Sequence, residues 1–259
     1  MVDDYLSYLK SGKEQPSLGF LQRLVTLQTN KVPVENLDFY YDRKPLLDVS
    51  RILKKILQGR GAIPLHLNAV FCELLVQLGF SAEIRSSRSY DAGSKKYSER
   101  LSGIGLLVNI DRAEFFVDVA EVKGLTSVLE VSKDKVMLSG SSYYRWNQQP
   151  FDDHLYLSKS RDANTFYPHR QIEPKEIKLI EYLPENDNFQ LPGHEVSKQR
   201  CMYRRTEKGY VYLKNHELEI VELGNVKWVT VENEEAFWSL SAQHFGIEKD
   251  LVFNQEAGT

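Results

Sequence analysis

The chain has 259 residues, 42% of them hydrophobic and 27% charged, so it can bury a full core as one large domain or as two to three small ones. Its formal net charge is −3, and its lysines and arginines are scattered rather than collected in the basic segment typical of nucleic-acid binding. The two cysteines are too few for a disulfide framework, and no apolar run is long enough for a signal segment or a membrane span. We therefore expect a cytoplasmic protein with no nucleic-acid partner and no membrane partner.

The first eighty residues have the apolar period of helices. Ser17 is a candidate N-cap for the first of them, and a second helix should begin near Val49 and stop at Gly59. A third should begin at Pro64, because a proline in the first turn removes no helical hydrogen bond, and should end at Gly79.

From about residue 81 the period of the apolar residues changes to two, which indicates strands. Segments 104–110 and 114–120 predict a hairpin, and residues 85–101 predict a polar loop or a hairpin tip. The aromatic stretch 143–146 predicts an edge strand or the lining of a pocket. Further strands are predicted at about 154–160, 176–183, 200–206, 209–213, 216–222 and 226–232.

Asn233, followed by Glu234 and Glu235, predicts the N-terminus of a final helix, because acidic side chains suit the positive end of the helix dipole. Helices, then many strands, then a mixed tail predict an α+β fold rather than alternating strands and helices.

Three short segments carry more information than composition does. They are residues 32–38 (VPVENLD), residues 59–68 (GRGAIPLHLN), and the pair 106–108 (LLV) and 116–119 (FVDV). Together they resemble the arylamine N-acetyltransferases. The corresponding family motifs are Val-Pro-Phe-Glu-Asn-Leu, Arg-Gly-Gly-Phe-Cys-Phe-Glu-Leu-Asn, and His-x-x-Leu-Leu-Val followed by Leu-Val-Asp-Val-Gly-Phe-Gly.

Members of that family move an acetyl group from acetyl-coenzyme A to an aromatic amine, hydroxylamine or hydrazine in the cytosol. The resemblance implies an N-terminal helical bundle, a central β-barrel and a C-terminal α/β lid around a papain-like (cysteine-proteinase-like) core. On this sequence we expect the bundle at 1–82, the barrel at 83–190 and the lid at 191–259. The resemblance also implies acetyl-CoA or CoA as the cofactor and a small aromatic molecule as the partner.

The catalysis implied by the resemblance needs a cysteine thiolate, a histidine and an aspartate that orients the histidine. Carried over position by position, the nucleophile falls on Pro64, the base on Gly103 and the acid on Asp118. Proline has no side-chain atom that can attack a thioester, and glycine has none that can accept a proton. Only the acid matches. Other departures lie close to these positions: Ala62 for a glycine, His66 for the glutamate, and Ala120-Glu121-Val122 for Gly-Phe-Gly.

Neither cysteine replaces the missing one. Cys72 lies about 12 Å further along the same predicted helix, and Cys201 alternates with apolar neighbours in a predicted strand, so both are interpreted as core residues. His66, on the first turn of the helix, is interpreted as a partly exposed side chain or, speculatively, as an acid, base or ligand acting with Asp118.

Asp118 alternates with Val117 and Val119 and should point into the interior, where a carboxylate needs partners. We interpret it either as a structural hydrogen-bond acceptor or as a surviving catalytic group. Arg60 and Glu35 resemble framework residues of the family and predict an internal ion pair. The six histidines show none of the spacings of a metal site, so no metal is expected.

Three hypotheses on function remain open. In the first, the chain is a degenerate acetyltransferase-like protein, a pseudoenzyme that keeps the fold and binds CoA or a small aromatic molecule. In the second, it is an active acyltransferase or hydrolase with a non-standard site that uses His66 and Asp118. In the third, it is a non-catalytic partner protein that associates with an active paralogue or with itself. Whether the chain is an enzyme, which ligand it binds and its oligomeric state stay undecided at this point.

Overall fold

The helices of the first eighty residues form where the apolar period predicts them. The computed structural model describes residues 1–98, 103–133, 135–149, 151–191 and 193–254. Five helices precede the first long strand: α1 (Val2–Leu9), α2 (Leu18–Lys31), α3 (Leu37–Tyr40), α4 (Val49–Leu57) and α5 (Pro64–Gln77).

Local chemistry fixes the ends of these helices. The Ser17 side chain accepts a hydrogen bond from the Phe20 amide at 3.2 Å, which confirms the predicted cap of α2. Pro64 is the first residue of α5, as predicted. Gly79 follows α5 with a φ of 90°, a left-handed conformation that glycine adopts without strain.

A nine-stranded sheet follows the helices. Its order is β6-β5-β4-β2-β10-β9-β8-β7, with β3 paired to the end of β2. The indole nitrogen of Trp146 in β8 donates a hydrogen bond to the carbonyl of Glu130 in β6 at 3.0 Å, so the sheet curls into a nearly closed barrel. The strands are β2 (Ser81–Asp91), β3 (Lys96–Tyr97), β4 (Gly103–Ile110), β5 (Ala113–Val117), β6 (Leu129–Glu130), β7 (Val136–Ser139), β8 (Ser142–Asn147), β9 (Leu155–Ser160) and β10 (Tyr167–Glu176).

A five-stranded antiparallel sheet, ordered β1-β11-β12-β13-β14, combines one early strand with four late ones. The strands are β1 (Val34–Glu35), β11 (Cys201–Thr206), β12 (Gly209–Lys214), β13 (Glu217–Glu222) and β14 (Asn225–Thr230). The remaining helical segments are the 3-10 turn Leu179–Tyr182, α6 (Leu183–Phe189), α7 (Glu195–Lys198), α8 (Glu234–Phe245) and α9 (Lys249–Phe253). The Asn233 side chain caps α8 by accepting from the Ala236 amide at 2.9 Å, as predicted.

Several expectations from the sequence are wrong. The predicted strand at 176–183 is instead the end of β10, a 3-10 turn and the first residue of α6, because Pro184 and the polar residues after it favour a helix start. In the predicted loop at 85–101, β2 continues to Asp91 and a tight turn leads into β3; residues 99–102 lie outside the described residues.

The stretch 143–146 is not an edge strand. It belongs to β8, which lies between β7 and β9, and its Tyr144 and Trp146 side chains are buried in the barrel interior. A second large apolar cluster joins α1, α2, α4 and α5 to the other face of β2, β4 and β5, which is turned away from the barrel interior. None of the helices formed by the described residues is both long and apolar enough to cross a membrane.

Candidate functional site

The start of α5 is held against β1 by backbone contacts. The Glu35 amide donates to the Ala62 carbonyl at 3.0 Å. A side chain on Gly61 would place its Cβ 1.9 Å from the Pro33 carbonyl oxygen, so only glycine fits there. Two of the three resembling segments thus pack directly on each other. Pro64 occupies the first helical position beside them, and it has no amide hydrogen and no reactive side-chain atom.

The Asn68 side chain links the three positions implied by the resemblance. Its Nδ2 lies 3.2 Å from the Pro64 carbonyl, 3.4 Å from the Ile104 carbonyl and 2.9 Å from Asp118 Oδ1. Because residues four apart share a helix face, position 64 also faces Asp118. Gly103, next to Ile104, begins β4, and a Cβ there would lie 3.4 Å from Ser87 Oγ, an ordinary contact. The Asn68 amide group therefore joins Pro64, Asp118 and the residue next to Gly103.

Asp118 is buried, with 4% of its surface exposed, and its carboxylate is fully engaged. Oδ1 accepts hydrogen bonds from Asn68 Nδ2 and from the Ala120 amide, each at 2.9 Å. Oδ2 accepts from Arg170 Nη1 at 2.7 Å. This set of partners supports the interpretation of Asp118 as a structural acceptor.

Arg170, in β10, was not identified from the sequence, and it organises the charges around Asp118. Its Nη2 lies 3.3 Å from Glu121 Oε2, and His169 Nε2 lies 3.0 Å from Glu121 Oε1. We call Asp118, Glu121, His169 and Arg170 the site cluster. Burial alone would raise the pKa of Glu121, but the nearby Arg170 guanidinium and His169 ring bring it down to about 2. Burial likewise opposes the charge of Arg170, yet the two carboxylates raise its pKa, so it remains a cation.

His66 lies on another face of α5. It is 2% exposed, so the expectation of a partly exposed side chain is wrong. Its Nε2 is 2.8 Å from Asn186 Oδ1 in α6, and its ring packs on Phe39. Burial lowers the pKa of His66 to about 4, which keeps the ring neutral at physiological pH. Since His66 is two residues from Asn68, it lies about 200° around the helix from the residue that holds Asp118. The structure does not bring His66 and Asp118 together.

The two cysteines are free and unreactive. Burial raises the pKa of Cys72 to about 12 and that of Cys201 to about 11. Among the described residues, no hydrogen bond joins a cysteine to a histidine. No thiol–imidazole pair is therefore present beside Asp118 in the part of the chain that the structure describes.

A second buried ionic group lies between α3, α4 and the start of α5. Arg60 Nη2 is 2.9 Å from both Glu35 Oε1 and Asp38 Oδ1, and Lys55 Nζ is 3.0 Å from Glu35 Oε1 and also contacts Asp38. We call these four residues the framework cluster. Its contacts confirm the internal ion pair expected between Arg60 and Glu35.

The segment after Asp118 packs against the second sheet. Lys123 forms an ion pair with Glu219 in β13, and its ammonium group lies 4.8 Å from the ring centre of Tyr212. The cavity next to Ala120 measures about 10 Å³, which is room for about one water molecule.

Comparison with known sequences identifies similar proteins. The sequence profile of the N-acetyltransferase family matches residues 17–252. Arylamine N-acetyltransferase 1 of Bos taurus is 22% identical to this chain over 215 residues. That match covers 79% of this chain and 66% of the bovine protein, so the chain spans slightly less than two thirds of that relative's length.

Solved structures show the same fold at low identity. An arylamine N-acetyltransferase from Bacillus cereus, described as having a Cys-His-Glu catalytic triad, matches with a TM-score of 0.84 at 18% identity, over 95% of this chain and 98% of the other. The enzyme of Mycobacterium marinum in complex with CoA matches with a TM-score of 0.85 at 18% identity, over 100% of this chain and 96% of the other. The α+β architecture of helices, barrel and second sheet is therefore shared with these proteins.

Proposed function

We propose that this chain, which belongs to the arylamine N-acetyltransferase family, does not run cysteine-dependent acetyl transfer and acts by non-covalent binding. The observation that carries the proposal is the engagement of Asp118. Its carboxylate accepts hydrogen bonds from Asn68, Ala120 and Arg170, and none of these three partners is a histidine.

The neighbouring positions support the same conclusion. A proline at position 64 removes the thiol that would carry the acetyl group. In a triad that works as a unit, loss of the nucleophile alone lowers turnover by about a million-fold. A glycine at position 103 also leaves no base to activate a nucleophile. The contacts around Gly61 and Asn68 are present although the thiol and the base are missing. This combination fits a fold that binds a ligand without reacting with it.

Coenzyme A, its acetyl ester or a small aromatic molecule is the ligand class we propose for this site. The M. marinum relative of the same fold has been solved with CoA, which supports the ligand class. Binding would require the region beside Ala120 and Glu121 to open, because the cavity there has room for about one water molecule. A cytoplasmic location belongs to the same proposal, supported by the two free thiols and by the cytosolic family.

Turnover is the direct test of inactivity. Release of free CoA from acetyl-CoA should be followed with aromatic amines, hydroxylamines and hydrazines, with the bovine enzyme as the positive control. We expect the rate to equal that of a sample without protein. Turnover that is abolished by both His66→Gln and Asp118→Asn would overturn the proposal in favour of a non-standard site.

A reversal experiment tests the reason for inactivity. The double variant Pro64→Cys with Gly103→His restores the two missing groups, and Gly103 has room for a Cβ. We expect little acetylation, because Arg170 still holds Asp118 and Glu121 still stands in the adjoining segment. Robust acetylation of an aromatic amine by this variant would show that the rest of the site is intact.

Isothermal titration with CoA tests the proposed binding separately from the proposed inactivity. We expect saturable binding that weakens as CoA is replaced by pantetheine. Absence of binding at about millimolar CoA would remove the CoA claim and leave the claim of inactivity standing.

A further inference from the structure

The five-stranded sheet carries a groove on the face away from Asp118. Met202, Leu213 and Leu218 form the part of this face that α8 covers. The next row across the strands is Arg204, Val211, Ile220 and Lys227, in register on β11, β12, β13 and β14. This row and Thr206 lie near the C-terminal end of α8, so the sheet face there is open. The resulting cavity measures about 510 Å³, and we call it the distal groove.

Arg204 is a half-buried cation in this groove with no opposite charge. Among the described residues it forms no ion pair and no side-chain hydrogen bond, and burial lowers the pKa of its guanidinium. A desolvated charge without a partner is unfavourable. The hydroxyl of Thr206, two positions along the same strand face, is also buried and has no hydrogen-bond partner. One end of the groove is therefore lined by a buried hydroxyl without a partner and by a half-buried guanidinium without a counter-charge.

The floor beside these donors is apolar. Val211 is 6% exposed and Ile220 is half-buried, and both face the groove. His244 of α8 lies over them, and burial together with the nearby Arg204 and Lys227 lowers its pKa, so it is neutral at physiological pH.

The rim charges of the groove compensate one another. Lys208, Glu207 and Glu222 are exposed and line the groove, and the exposed Lys227 stands beside it, next to Ile220 and close to His244. The interior is thus left with one uncompensated positive charge, from Arg204. A singly charged anion would match it, whereas a dianion would meet the two rim carboxylates without a second cation inside.

We propose that the distal groove binds a small amphipathic carboxylic acid. Its carboxylate accepts hydrogen bonds from the Arg204 guanidinium and the Thr206 hydroxyl, and its apolar body lies on Val211 and Ile220. The volume lies within the range of about 300 to 1,000 Å³ that is typical of small-molecule sites. The distal groove is separate from the site of the proposed function. That site lies on the side of Tyr203, Tyr212 and Glu219, which occupy the opposite face of the same sheet.

Isothermal titration with octanoate and with 1-naphthaleneacetate tests the proposal, with octanamide as the uncharged probe. We expect saturable binding of both acids and binding of octanamide weakened about tenfold or more, which is the effect of losing a charge-assisted hydrogen bond. Arg204→Gln should weaken the acids by a similar factor, and Thr206→Val by about threefold. Arg112→Gln, at an exposed arginine in the turn between β4 and β5, is the matched control and should change nothing.

Amide chemical shifts locate the bound acid. Changes at Val211, Ile220 and His244 would support the distal groove. Changes centred on Asp118 and Ala120 would overturn the proposal by assigning the acid to the family site. It would also be overturned by equal affinity in Arg204→Gln, by preference for inorganic phosphate, or by no saturation at about millimolar acid.

Discussion

The framework cluster and the site cluster are both buried ionic groups, but they balance their charges differently. In the framework cluster, Glu35 and Asp38 each contact two cations, Arg60 and Lys55. In the site cluster, Arg170 is the one guanidinium shared by two carboxylates. The first cluster therefore has two cations for its two acids, and each acid contacts both of them. The second cluster has Arg170 for two acids, and His169 is a further partner of Glu121 only. We therefore expect the site cluster to be more sensitive to the loss of one side chain.

Among replacements in the two clusters, that of Arg170 should cause the largest loss of stability. Arg170→Met keeps the aliphatic length but leaves Asp118 and Glu121 buried without their main cation. We expect the free energy of unfolding to fall by about 3 to 5 kcal/mol at pH 7, measured by urea denaturation. Arg112→Met, in an exposed turn, should change it by less than about 0.5 kcal/mol. An effect of Arg170→Met as small as that control would mean that the site cluster contributes no stability.

Acid titration isolates the contribution of Glu121. Its folded pKa of about 2 is below the ordinary value of 4.5, so this stability is present above about pH 4.5 and is lost as the pH falls toward about 2. We expect the wild type to lose about 3 kcal/mol more than Glu121→Gln over this range, because the other carboxylates with lowered pKa values, such as Asp38 and Asp152, contribute equally to both proteins. Stability should be measured by chemical denaturation at steps between pH 5 and pH 2. Identical pH profiles for the two proteins would contradict the ionic role of Glu121.

Replacement of Arg60 should have a smaller effect than replacement of Arg170. In Arg60→Met, Lys55 still contacts both Glu35 and Asp38, so neither carboxylate is left alone. We expect a loss of about 2 to 3 kcal/mol in urea denaturation under the same conditions. A loss larger than that of Arg170→Met would reverse the ranking of the two clusters.

The smallest effect is expected at His66. His66→Leu leaves the Asn186 side chain without its 2.8 Å partner, which should lower stability by about 1 to 2 kcal/mol at pH 7. Because the folded pKa of His66 is about 4, below the ordinary 6.5, the wild type should lose this advantage as the pH falls from about 6.5 toward 4. Thermal unfolding of both proteins across this pH range measures the narrowing gap. A gap that widens at acid pH would show that the ring is charged in the folded protein.

Local signals in the sequence predict much of the fold. Ser17, Pro64, Gly79 and Asn233 mark helix ends through chemistry that depends only on near neighbours, and all four stand where expected. Where the sequence predicts an element wrongly, contacts between distant segments determine the structure. The alternation in the aromatic stretch 143–146 could not show that β7 would pair with the free edge of this strand.

The residues of the candidate site also fall into those that the sequence predicts and those that it does not. Pro64, Gly103 and Asp118 follow from a motif, and Asn68 contacts Pro64, Asp118 and Ile104, the neighbour of Gly103. Arg170 has no motif and is 52 positions from Asp118 in the sequence, so its ion pair arises from the register of β10 against β2 and β9. An arginine in a polar strand gives no sign from sequence alone that it will be buried.

The raised pKa values of both thiols have a practical consequence. With pKa values of about 12 and 11, Cys72 and Cys201 hold almost no thiolate in the native protein at neutral pH, so they react slowly with an alkylating reagent until the fold opens. Because Cys72 lies in α5 and Cys201 in β11, their labelling rates report separately on the opening of the helical region and of the second sheet. The unmodified chain is thus labelled slowly by thiol reagents. Labelling of the cysteine introduced by Pro64→Cys can therefore be followed above a low background.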